Sequence, residues 1–214
     1  MQNECVLLSS AYLPPLHYFC KIYHYKNVLI EQHCNYVKQT YRNRCNIAAG
    51  NGMMPLSIPV ERSGAKCLTR DVRISDHDNW RKLHWQAIVS AYNNTPFFEY
   101  YRDDFEPFYT RKIDFLFDFN QQQLQLLLEL LDIEAEVGLT SVYRKEAGET
   151  VADFREKIHP KIDFSTDTEF APKPYYQVFQ AQNGFIPNLS IIDLLFNCGP
   201  ESVLILRDSH KPVI

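Results

Sequence analysis

Glycine is scarce in this chain of 214 residues, and its seven copies never reach the spacing of a phosphate-binding loop. Glycine-rich loops bind nucleotides because the backbone approaches the phosphates with no side chain in the way. The sequence therefore excludes P-loop proteins and the glycine-rich class of dinucleotide-binding proteins. Local signatures of a nucleophilic serine or cysteine are also missing.

Cysteine occurs six times but never as a close pair, at positions 5, 20, 34, 45, 67 and 198. Scattered cysteines of this kind are typical of reduced, buried thiols in a cytoplasmic protein. The first four residues do not resemble the basic start of a secretory signal. We therefore expect a soluble, cytoplasmic protein without disulfide bonds.

Long hydrophobic runs and an excess of positive charge are missing as well. Apolar stretches such as 126–128 and 191–196 fall far short of the roughly 20 residues that a membrane-spanning helix requires. The formal net charge of -4 argues against a sequence-independent nucleic-acid-binding protein, which needs many lysines and arginines to neutralise phosphates. We expect no membrane span and no nucleic-acid partner, and any anion-binding site must be local.

The remaining composition is that of an ordinary globular protein, with 45% apolar and 22% charged residues. The length fits one domain, because domains usually contain roughly 100–200 residues. We predict a single domain over 1–214, in which residues 75–131 are a candidate helical subdomain.

The N-terminal pattern predicts a strand-helix-strand unit. Residues 5–8 form a short apolar run, a helix over 16–25 follows two prolines, and 28–30 form a second apolar run that ends on an acid. The strands of such a unit are normally parallel, and ligands collect in the loops at their carboxyl ends, here 9–13 and 31–36.

The rest of the chain predicts an α/β fold with a mixed sheet, a hairpin and a helical middle section. Gly50-Asn51-Gly52 indicates a hairpin turn between 45–48 and 55–60. The predicted helices cover 75–92, 97–109, 121–131 and 191–197. The predicted strands cover 66–74, 137–143, 175–181 and 202–206. The charged segment 146–174 is predicted to be an extended excursion over the surface, serving as a lid or a partner contact.

Residues 38–44 combine a lysine, two arginines, an asparagine, a glutamine and a tyrosine. In an extended strand, alternation places four of these residues on one face: Lys38, Thr40, Arg42 and Arg44. Guanidinium groups bind phosphate or carboxylate through two parallel hydrogen bonds, so this row suits a nucleotide, a sugar nucleotide or an acid substrate. We expect Asn43 to brace the backbone while Arg44 contacts the ligand. A solvated strand face with scattered ion pairs is the structural alternative.

Histidines and cysteines raise the question of a metal site. His17, Cys20 and His24 share a helix face, and His33 and Cys34 follow shortly after, which is enough to bind zinc. Their spacing matches no compact zinc motif, so packing is the preferred interpretation and we predict no metal.

Two further positions invite a catalytic interpretation. His84 is a candidate general base because the reference pKa of histidine lies near neutrality, and a histidine bonded to a neighbouring carbonyl is the structural alternative. Ser190 and Asp193 precede and begin an apolar helix, so we interpret them as a variant of the capping box rather than as catalytic residues.

Three segments occur in an order that resembles the WbqC-like protein family. They are Tyr-Leu-Pro-Pro-Leu-His-Tyr-Phe at 12–19, a strand ending in Glu31 followed by Tyr36-Val37-Lys38 and Asn43-Arg44, and Leu-Ser-Ile-Ile-Asp-Leu-Leu-Phe-Asn at 189–197. The resemblance covers nearly the whole chain, and 12–44 is its most specific part. It implies importance for six residues: Tyr12, Pro14, Tyr18, Lys38, Asn43 and Arg44. The chain departs from the usual family pattern at Ser10, His17 and Glu31.

The family is bacterial and occurs among genes for O-antigen and related surface polysaccharides. The resemblance implies a transferase that moves a glycyl or other acyl group to a nucleotide-linked amino sugar. Under this hypothesis Arg42 and Arg44 hold a diphosphate or carboxylate, Lys38 neutralises developing charge, and Glu31 or His84 moves the proton. The other expected substrate-binding residues are Tyr12, His17, Tyr18 and Asn43.

Two other functions also fit the sequence. The first is an ATP-dependent ligase, because a parallel α/β unit without a P-loop can bind adenosine phosphates at its strand ends. The second is a non-catalytic partner protein of a polysaccharide pathway that uses 146–174 as its contact. The sequence names no cofactor, and the expected partner is a small molecule, either a sugar nucleotide or another carboxylate or phosphate ligand.

Overall fold

The computed structural model describes residues 5–61 and 66–211, and the elements below lie within them. The strands are β1 (Cys5–Ser9), β2 (Asn27–Glu31), β3 (Arg44–Ala49), β4 (Gly52–Ser57), β5 (Glu136–Leu139) and β6 (Val151–Asp153). The helices are α1 (Leu16–Tyr25), α2 (Trp80–Tyr92), α3 (Phe98–Thr110), α4 (Leu116–Leu130), α5 (Gln180–Asn183), α6 (Ile191–Cys198) and α7 (Ser202–Asp208). The structure confirms the predicted α/β fold with its N-terminal strand-helix-strand unit, its hairpin and its helical middle section.

Four strands form a parallel sheet in the order β5-β2-β1-β6. Ser9 at the end of β1 lies opposite Glu31 at the end of β2, so two carboxyl ends meet side by side. Two residues before these ends, Leu29 of β2 lies between Leu7 of β1 and Gly138 of β5. The antiparallel pairing is found in the separate two-stranded hairpin of β3 and β4.

The two faces of the parallel sheet are covered differently. The chain moves from β1 to β2 and on to β5 in one direction, and then returns across the sheet to β6. Because crossovers between parallel strands are nearly always right-handed, this reversal places the return segment, residues 140–150, on the face opposite to α1. The face toward α1 carries side chains that are almost inaccessible to solvent: Val6, Leu8, Val28 and Ile30.

The helical middle section packs through aromatic rings. Phe196 of α6 makes edge-to-face contacts with Tyr92, Phe98 and Phe105, with ring centroids 5.2 to 5.3 Å apart. Such contacts are the favoured geometry of aromatic pairs. The Tyr92 hydroxyl also accepts a hydrogen bond from the Ala48 amide at 3.2 Å, which fixes the hairpin to α2. In the part of the chain that the structure describes, no helix has both the length and the apolar character needed to cross a membrane.

Three predicted strands are wrong. Residues 66–74 form a 3-10 turn at Thr69–Asp71 between isolated bridges, 175–181 lead into α5, and 202–206 lie inside α7. The last case shows how packing overrides a β-rich pattern. As a helix, this segment packs on α1, where the Leu206 carbonyl accepts from Cys20 Sγ at 3.6 Å.

Two helix predictions also need correction. α2 begins at Trp80 instead of near residue 75, because 75–79 are not helical and the Ser75 amide donates to the Pro59 carbonyl. The helix predicted over 121–131 begins earlier, because α4 starts at Leu116, and it is amphipathic. It buries Leu124, Leu127 and Leu128 and exposes Gln122, Gln125 and Glu129.

The segment 146–174 is only partly a surface excursion. It contains β6, which pairs with β1 and so belongs to the sheet. Phe154, Ile158 and Phe170 of this segment are buried in the core.

The capping-box interpretation of Ser190 and Asp193 is also wrong. Ser190 Oγ donates to the Leu13 carbonyl at 2.8 Å and caps no amide of α6. The Asp193 carboxylate is completely buried and accepts hydrogen bonds from the Tyr175 hydroxyl at 2.7 Å and from Gln177 Nε2 at 2.9 Å. This carboxylate therefore joins residues 175–177 to α6.

Asp193 makes the stability of the fold depend on pH. Burial raises its pKa to about 6, although hydrogen bonds from Tyr175 and Gln177 oppose the shift. The unfolded chain titrates near 3.8, so between these values the folded protein binds more protons and loses stability as pH rises. Asp193→Asn removes this titration. The stability of the variant minus that of the wild type should therefore increase from pH 4 to pH 8, by on the order of 3 kcal/mol.

Thermal unfolding of both proteins at the two pH values measures this difference. Asp103→Asn, on the exposed side of α3, is the matched control and should show no such change. A difference between Asp193→Asn and wild type that is the same at pH 4 and pH 8 would contradict the assignment.

Candidate functional site

The carboxyl ends of the parallel strands bring polar side chains to one edge of the sheet. Ser9 ends β1, Glu31 ends β2, Thr140 follows β5, and Arg155 lies two residues after β6. The direction of the chain across the sheet reverses between β1 and β6. Ligands of open parallel sheets bind outside the carboxyl ends at such a reversal, which makes this edge the candidate site.

Glu31 ties three strand ends together although its side chain is buried. Its Oε1 accepts from the amides of His33 at 2.6 Å and Cys34 at 3.1 Å, and from the Thr140 hydroxyl at 3.1 Å. Its Oε2 lies 3.4 Å from Nη1 of Arg155. The carboxylate therefore fixes the loop after β2 against the ends of β5 and β6.

Arg155 is 7% exposed and has its own set of partners. Its Nε and Nη2 donate to the two carboxylate oxygens of Asp153 at 3.0 and 2.6 Å. Burial alone would raise the pKa of Asp153, but the hydrogen bonds from Arg155 outweigh it and hold this pKa below its usual value. Arg155 also donates to the carbonyls of Arg144 and Lys145 at 2.8 and 3.1 Å, which anchors the return segment.

Arg42 is the second buried guanidinium at this edge, with 3% of its surface exposed. Its Nη2 donates to Ser9 Oγ at 2.8 Å and to Glu156 Oε1 at 3.2 Å, and it lies 3.6 Å from Cys34 Sγ. Glu156 is 71% exposed, and Nε of Arg42 is buried with no hydrogen-bond partner among the described residues. A guanidinium in this condition retains the capacity to bind a ligand anion.

A cavity of about 630 Å³ opens beside these two arginines. Its volume lies within the range of roughly 300–1,000 Å³ that is usual for small-molecule sites. Among the described residues, its charged lining consists of four cations and two carboxylates: Arg42, Lys145, Arg155, Lys157, Asp153 and Glu156. This cationic cavity is a local excess of positive charge in a chain whose formal net charge is -4.

His33 lines the cationic cavity in a defined tautomer. Its Nε2 lies 3.0 Å from the Thr140 carbonyl. A carbonyl only accepts, so Nε2 carries the proton and Nδ1 of the neutral ring is the basic nitrogen. The site thus contains a potential proton acceptor next to its buried cations.

The predicted extended row at 38–44 is wrong. Residues 38–43 form consecutive turns, Gln39 has a φ of 60°, and β3 begins at Arg44. Alternation therefore does not apply to this segment. The turn directs Arg42 inward, where its amide and Nη1 both donate to Thr40 Oγ1 at 3.3 and 3.4 Å.

The other members of the row lie elsewhere. Lys38 is exposed and lines a different cavity of about 370 Å³. Arg44 donates its Nε to Ser57 Oγ across the hairpin at 3.2 Å. Asn43 Nδ2 donates to the Ile58 carbonyl at 2.9 Å. Of the predicted row, Arg42 is the residue that lines the cationic cavity.

Tyr12 and His84 meet inside the core. The Tyr12 hydroxyl lies 3.0 Å from His84 Nδ1 and 2.9 Å from the Tyr109 hydroxyl, and the ring of Trp80 packs edge-on against His84. Burial lowers the pKa of His84 to about 4, although a hydrogen bond to the Ser57 backbone opposes the shift. His84 is therefore neutral near pH 7 and forms part of a buried polar cluster away from the cationic cavity.

His17 and Tyr18 point in different directions from α1. His17 Nε2 donates to Asp167 Oδ2 at 2.7 Å, and the buried Lys21 ammonium contacts the same carboxylate at 2.8 Å. Burial lowers the pKa of His17, and its contact with Asp167 opposes the shift. The Tyr18 hydroxyl donates to the Ser9 carbonyl at 3.0 Å, which places it next to the site. Within the described ranges, no group of three or more potential ligands is arranged to hold a metal ion.

The loop after β1 is held in a strained conformation. The Tyr12 amide donates to the Tyr41 carbonyl at 2.8 Å, and the Ile191 amide donates to the Pro14 carbonyl at 2.8 Å. Between them Leu13 is fully buried with a φ of 38°. A bulky residue with positive φ persists only where its surroundings enforce it, and such residues cluster at functional sites. Segments 12–19, 36–44 and 189–197 thus meet in one packed unit that supports the site.

The contribution of β6 to the site was not predicted from the sequence. Arg155, Glu156 and Lys157 all line the cationic cavity, but they lie in a segment that was predicted to run over the surface. A strand of three residues gives too short an alternation to detect. Like β2, residues 151–153 (Val-Ala-Asp) form an apolar run that ends in an acid. This pattern is the signal from which β6 could have been predicted.

Comparison with known proteins identifies one family. The WbqC-like protein family matches residues 9–167 and 162–205 of the chain. The uncharacterized protein Rv1507c of Mycobacterium tuberculosis (strain ATCC 25618 / H37Rv) is 25% identical over 231 residues, which cover 96% of this chain and 98% of that protein. No solved structure matches the chain. The family match includes Glu31, Arg42 and Arg155.

The position of Tyr12 predicts a structural effect on mutation. Tyr12→Phe leaves Nδ1 of His84 and the hydroxyl of Tyr109 with one partner fewer inside the core. An unsatisfied buried polar group costs roughly 1–3 kcal/mol, so we expect the free energy of unfolding to fall by about this amount. Urea denaturation measures it.

Tyr100→Phe is the control, because Tyr100 is 86% exposed on α3 and should tolerate the change. Wild-type stability of Tyr12→Phe would show that the hydroxyl has no structural role.

Proposed function

Because the chain belongs to the WbqC-like protein family and carries a cationic cavity at the carboxyl edge of its sheet, we propose that it binds a nucleotide-linked amino sugar there. In this proposal it is a transferase that adds a glycyl or other acyl group to the amino group of the sugar, in the synthesis of O-antigen or another surface polysaccharide. The incompletely paired guanidinium of Arg42 is the observation on which the proposal rests.

Arg42 and Arg155 differ in how their charges are compensated. A buried charge is costly unless it is paired and fully hydrogen-bonded. Arg155 faces two carboxylates, Asp153 and Glu31. Arg42 has the exposed Glu156 as its anionic partner among the described residues, and its Nε is free. A diphosphate or carboxylate could take the place of the exposed Glu156 at this guanidinium, so Arg42 is the primary ligand-binding residue.

The rim of the cationic cavity suits the rest of a sugar nucleotide. Lys145 and Lys157 are exposed there and can neutralise further phosphate charge. Tyr143 also lines the cavity, with 49% of its surface exposed and Arg155 on its ring at 5.5 Å. An exposed aromatic ring provides a stacking surface for a base. Charge at the bottom and an aromatic ring at the rim fit a nucleotide better than they fit a simple anion.

Acyl transfer to an amine also needs a proton acceptor. The lone pair of the sugar nitrogen forms the amide bond to the acyl carbon of an activated donor, such as a thioester or acyl phosphate. The bond from that carbon to the leaving group breaks, and one proton leaves the nitrogen. We assign this proton to Nδ1 of His33, which the hydrogen bond to Thr140 leaves basic. Glu31 holds the loop that carries His33.

Sugar-nucleotide affinity tests the role of Arg42. Arg42→Lys keeps the positive charge but loses the planar fork that grips two oxygens. We expect its affinity for UDP-glucosamine, measured by calorimetry, to fall roughly 10-fold to 100-fold, because hydrogen bonds to charged groups contribute about 1.5–3 kcal/mol. The screen should include ATP with magnesium, since selective binding of ATP would favour a ligase.

Arg44→Ala and Lys38→Ala serve as matched controls from the same segment, and both should bind like the wild type. A loss in Arg44→Ala with unchanged binding in Arg42→Lys would overturn the assignment. So would a wild-type protein that binds none of the sugar nucleotides.

The proposed base gives a separate kinetic prediction. His33→Gln can still donate to the Thr140 carbonyl but has no basic nitrogen. With UDP-glucosamine and an acyl thioester, amide formation followed by mass spectrometry should fall about 100-fold or more, while UDP-glucosamine affinity stays within about twofold. Unchanged turnover in this variant would eliminate His33 as the base. His84→Gln, tested on the folded fraction, should retain turnover.

A further inference from the structure

The sheet face opposite to α1 changes from apolar to polar toward its carboxyl edge. Side chains alternate between faces along a strand, so Leu7 shares its face with Ser9, and Leu29 shares its face with Glu31. Leu7 pairs with Leu29, and Ser9 pairs with Glu31. A row of leucines therefore lies directly behind the polar row at the edge of the cationic cavity.

A second cavity, of about 230 Å³, lies over this row of leucines. Its apolar wall consists of Leu7, Leu29, Leu139, Val142, Ala147 and Val151. The cavity exists because the return segment 140–150 crosses this face without forming a helix. Helices normally cover both faces of a parallel sheet and fill the space with their side chains. We call this second space the apolar cavity.

The apolar cavity and the cationic cavity adjoin through one ion pair. The polar lining of the apolar cavity consists of Glu31, Thr140, Ser141 and Arg144. Glu31 contacts Arg155, which lines the cationic cavity. A ligand that occupied both spaces would thus have an apolar part and an anionic part on either side of this pair.

We infer that the apolar cavity binds the hydrocarbon part of the acyl group that is transferred. This inference rests on the proposed function and narrows its donor to an activated aliphatic acyl group. A volume of 230 Å³ holds roughly seven groups of the size of a water molecule, at about 30 Å³ each. A glycyl group would leave most of this apolar surface uncovered, whereas a chain of about four to six carbons would cover it and gain affinity from its burial.

A series of alkyl phosphates tests the inference on the whole chain. Methyl, butyl and hexyl phosphate carry the same anion and differ in the length of their apolar part. Burial of one methylene group increases affinity by up to about fourfold. We expect hexyl phosphate to bind at least about tenfold more tightly than methyl phosphate, as measured by calorimetry.

Two variants fill the apolar cavity without touching the cationic one. Leu29→Trp places a larger side chain on the sheet, and Ala147→Trp does so from the return segment, which tolerates change if the first variant folds poorly. Each should abolish the dependence on chain length and leave the affinity for methyl phosphate within about twofold of wild type. Leu83→Trp is the matched control, because Leu83 is 58% exposed on α2, and it should behave like the wild type.

Equal affinity of the wild type for all three phosphates would overturn the inference, as would a preserved chain-length dependence in both cavity-filling variants. Failure of the proposed function has a different signature, in which no alkyl phosphate binds or Arg42→Lys binds them like the wild type. The neutral probe hexanamide then decides whether the apolar cavity binds a ligand without the anion. Hexanamide binding to the wild type that is lost in Leu29→Trp would support an apolar site, and no binding of hexanamide would refute it.

Discussion

The ion pair between Glu31 and Arg155 is the interaction on which the site depends. Glu31 is 1% exposed and Arg155 is 7% exposed, so neither charge is hydrated well enough to exist alone. Arg155 also pairs with Asp153, but removal of Arg155 would leave the buried Glu31 carboxylate without its cationic partner, and such a loss typically costs roughly 3–5 kcal/mol. Oε1 of Glu31 accepts hydrogen bonds from two amides of the loop after β2 and from the Thr140 hydroxyl, and these bonds fix the loop to the end of β5. The pair thus joins the ends of the parallel strands into one rigid edge.

The proposed function depends on the hydrogen bonds that this edge leaves incomplete. Arg155 is saturated by carboxylates and carbonyls, whereas Arg42 is buried beside it with an exposed counter-ion and a free nitrogen. In the proposed function, Arg42 therefore binds the ligand, whereas Arg155 holds the ends of the strands together. The same pair separates the cationic cavity from the apolar one. The apolar cavity exists because the return segment 140–150 crosses the sheet face opposite to α1 without forming a helix.

Local patterns predicted the parts of the fold whose contacts are local. The apolar runs at 5–8 and 28–30 and the prolines before Leu16 gave β1, α1 and β2 almost to the residue, and the turn at Gly50-Asn51-Gly52 gave the hairpin. The predictions failed where distant contacts decide. Residues 202–206 have a β-rich composition but become helical against α1, and β6 is a strand because β1 offers it an edge.

The predictions for the candidate site succeeded and failed for the same reasons. Arg42 and Glu31 could be selected from the sequence because they follow a predicted parallel strand. Lys38 and Arg44 could not be separated from Arg42, since the separation depends on turns at 38–43 that only tertiary contacts specify. Crystals soaked with UDP-glucosamine test the central claim most directly. The account predicts that the diphosphate lies within hydrogen-bond distance of the Arg42 guanidinium at the carboxyl edge. Density for the diphosphate at Arg44 on the hairpin, with the cationic cavity filled by solvent, would contradict it.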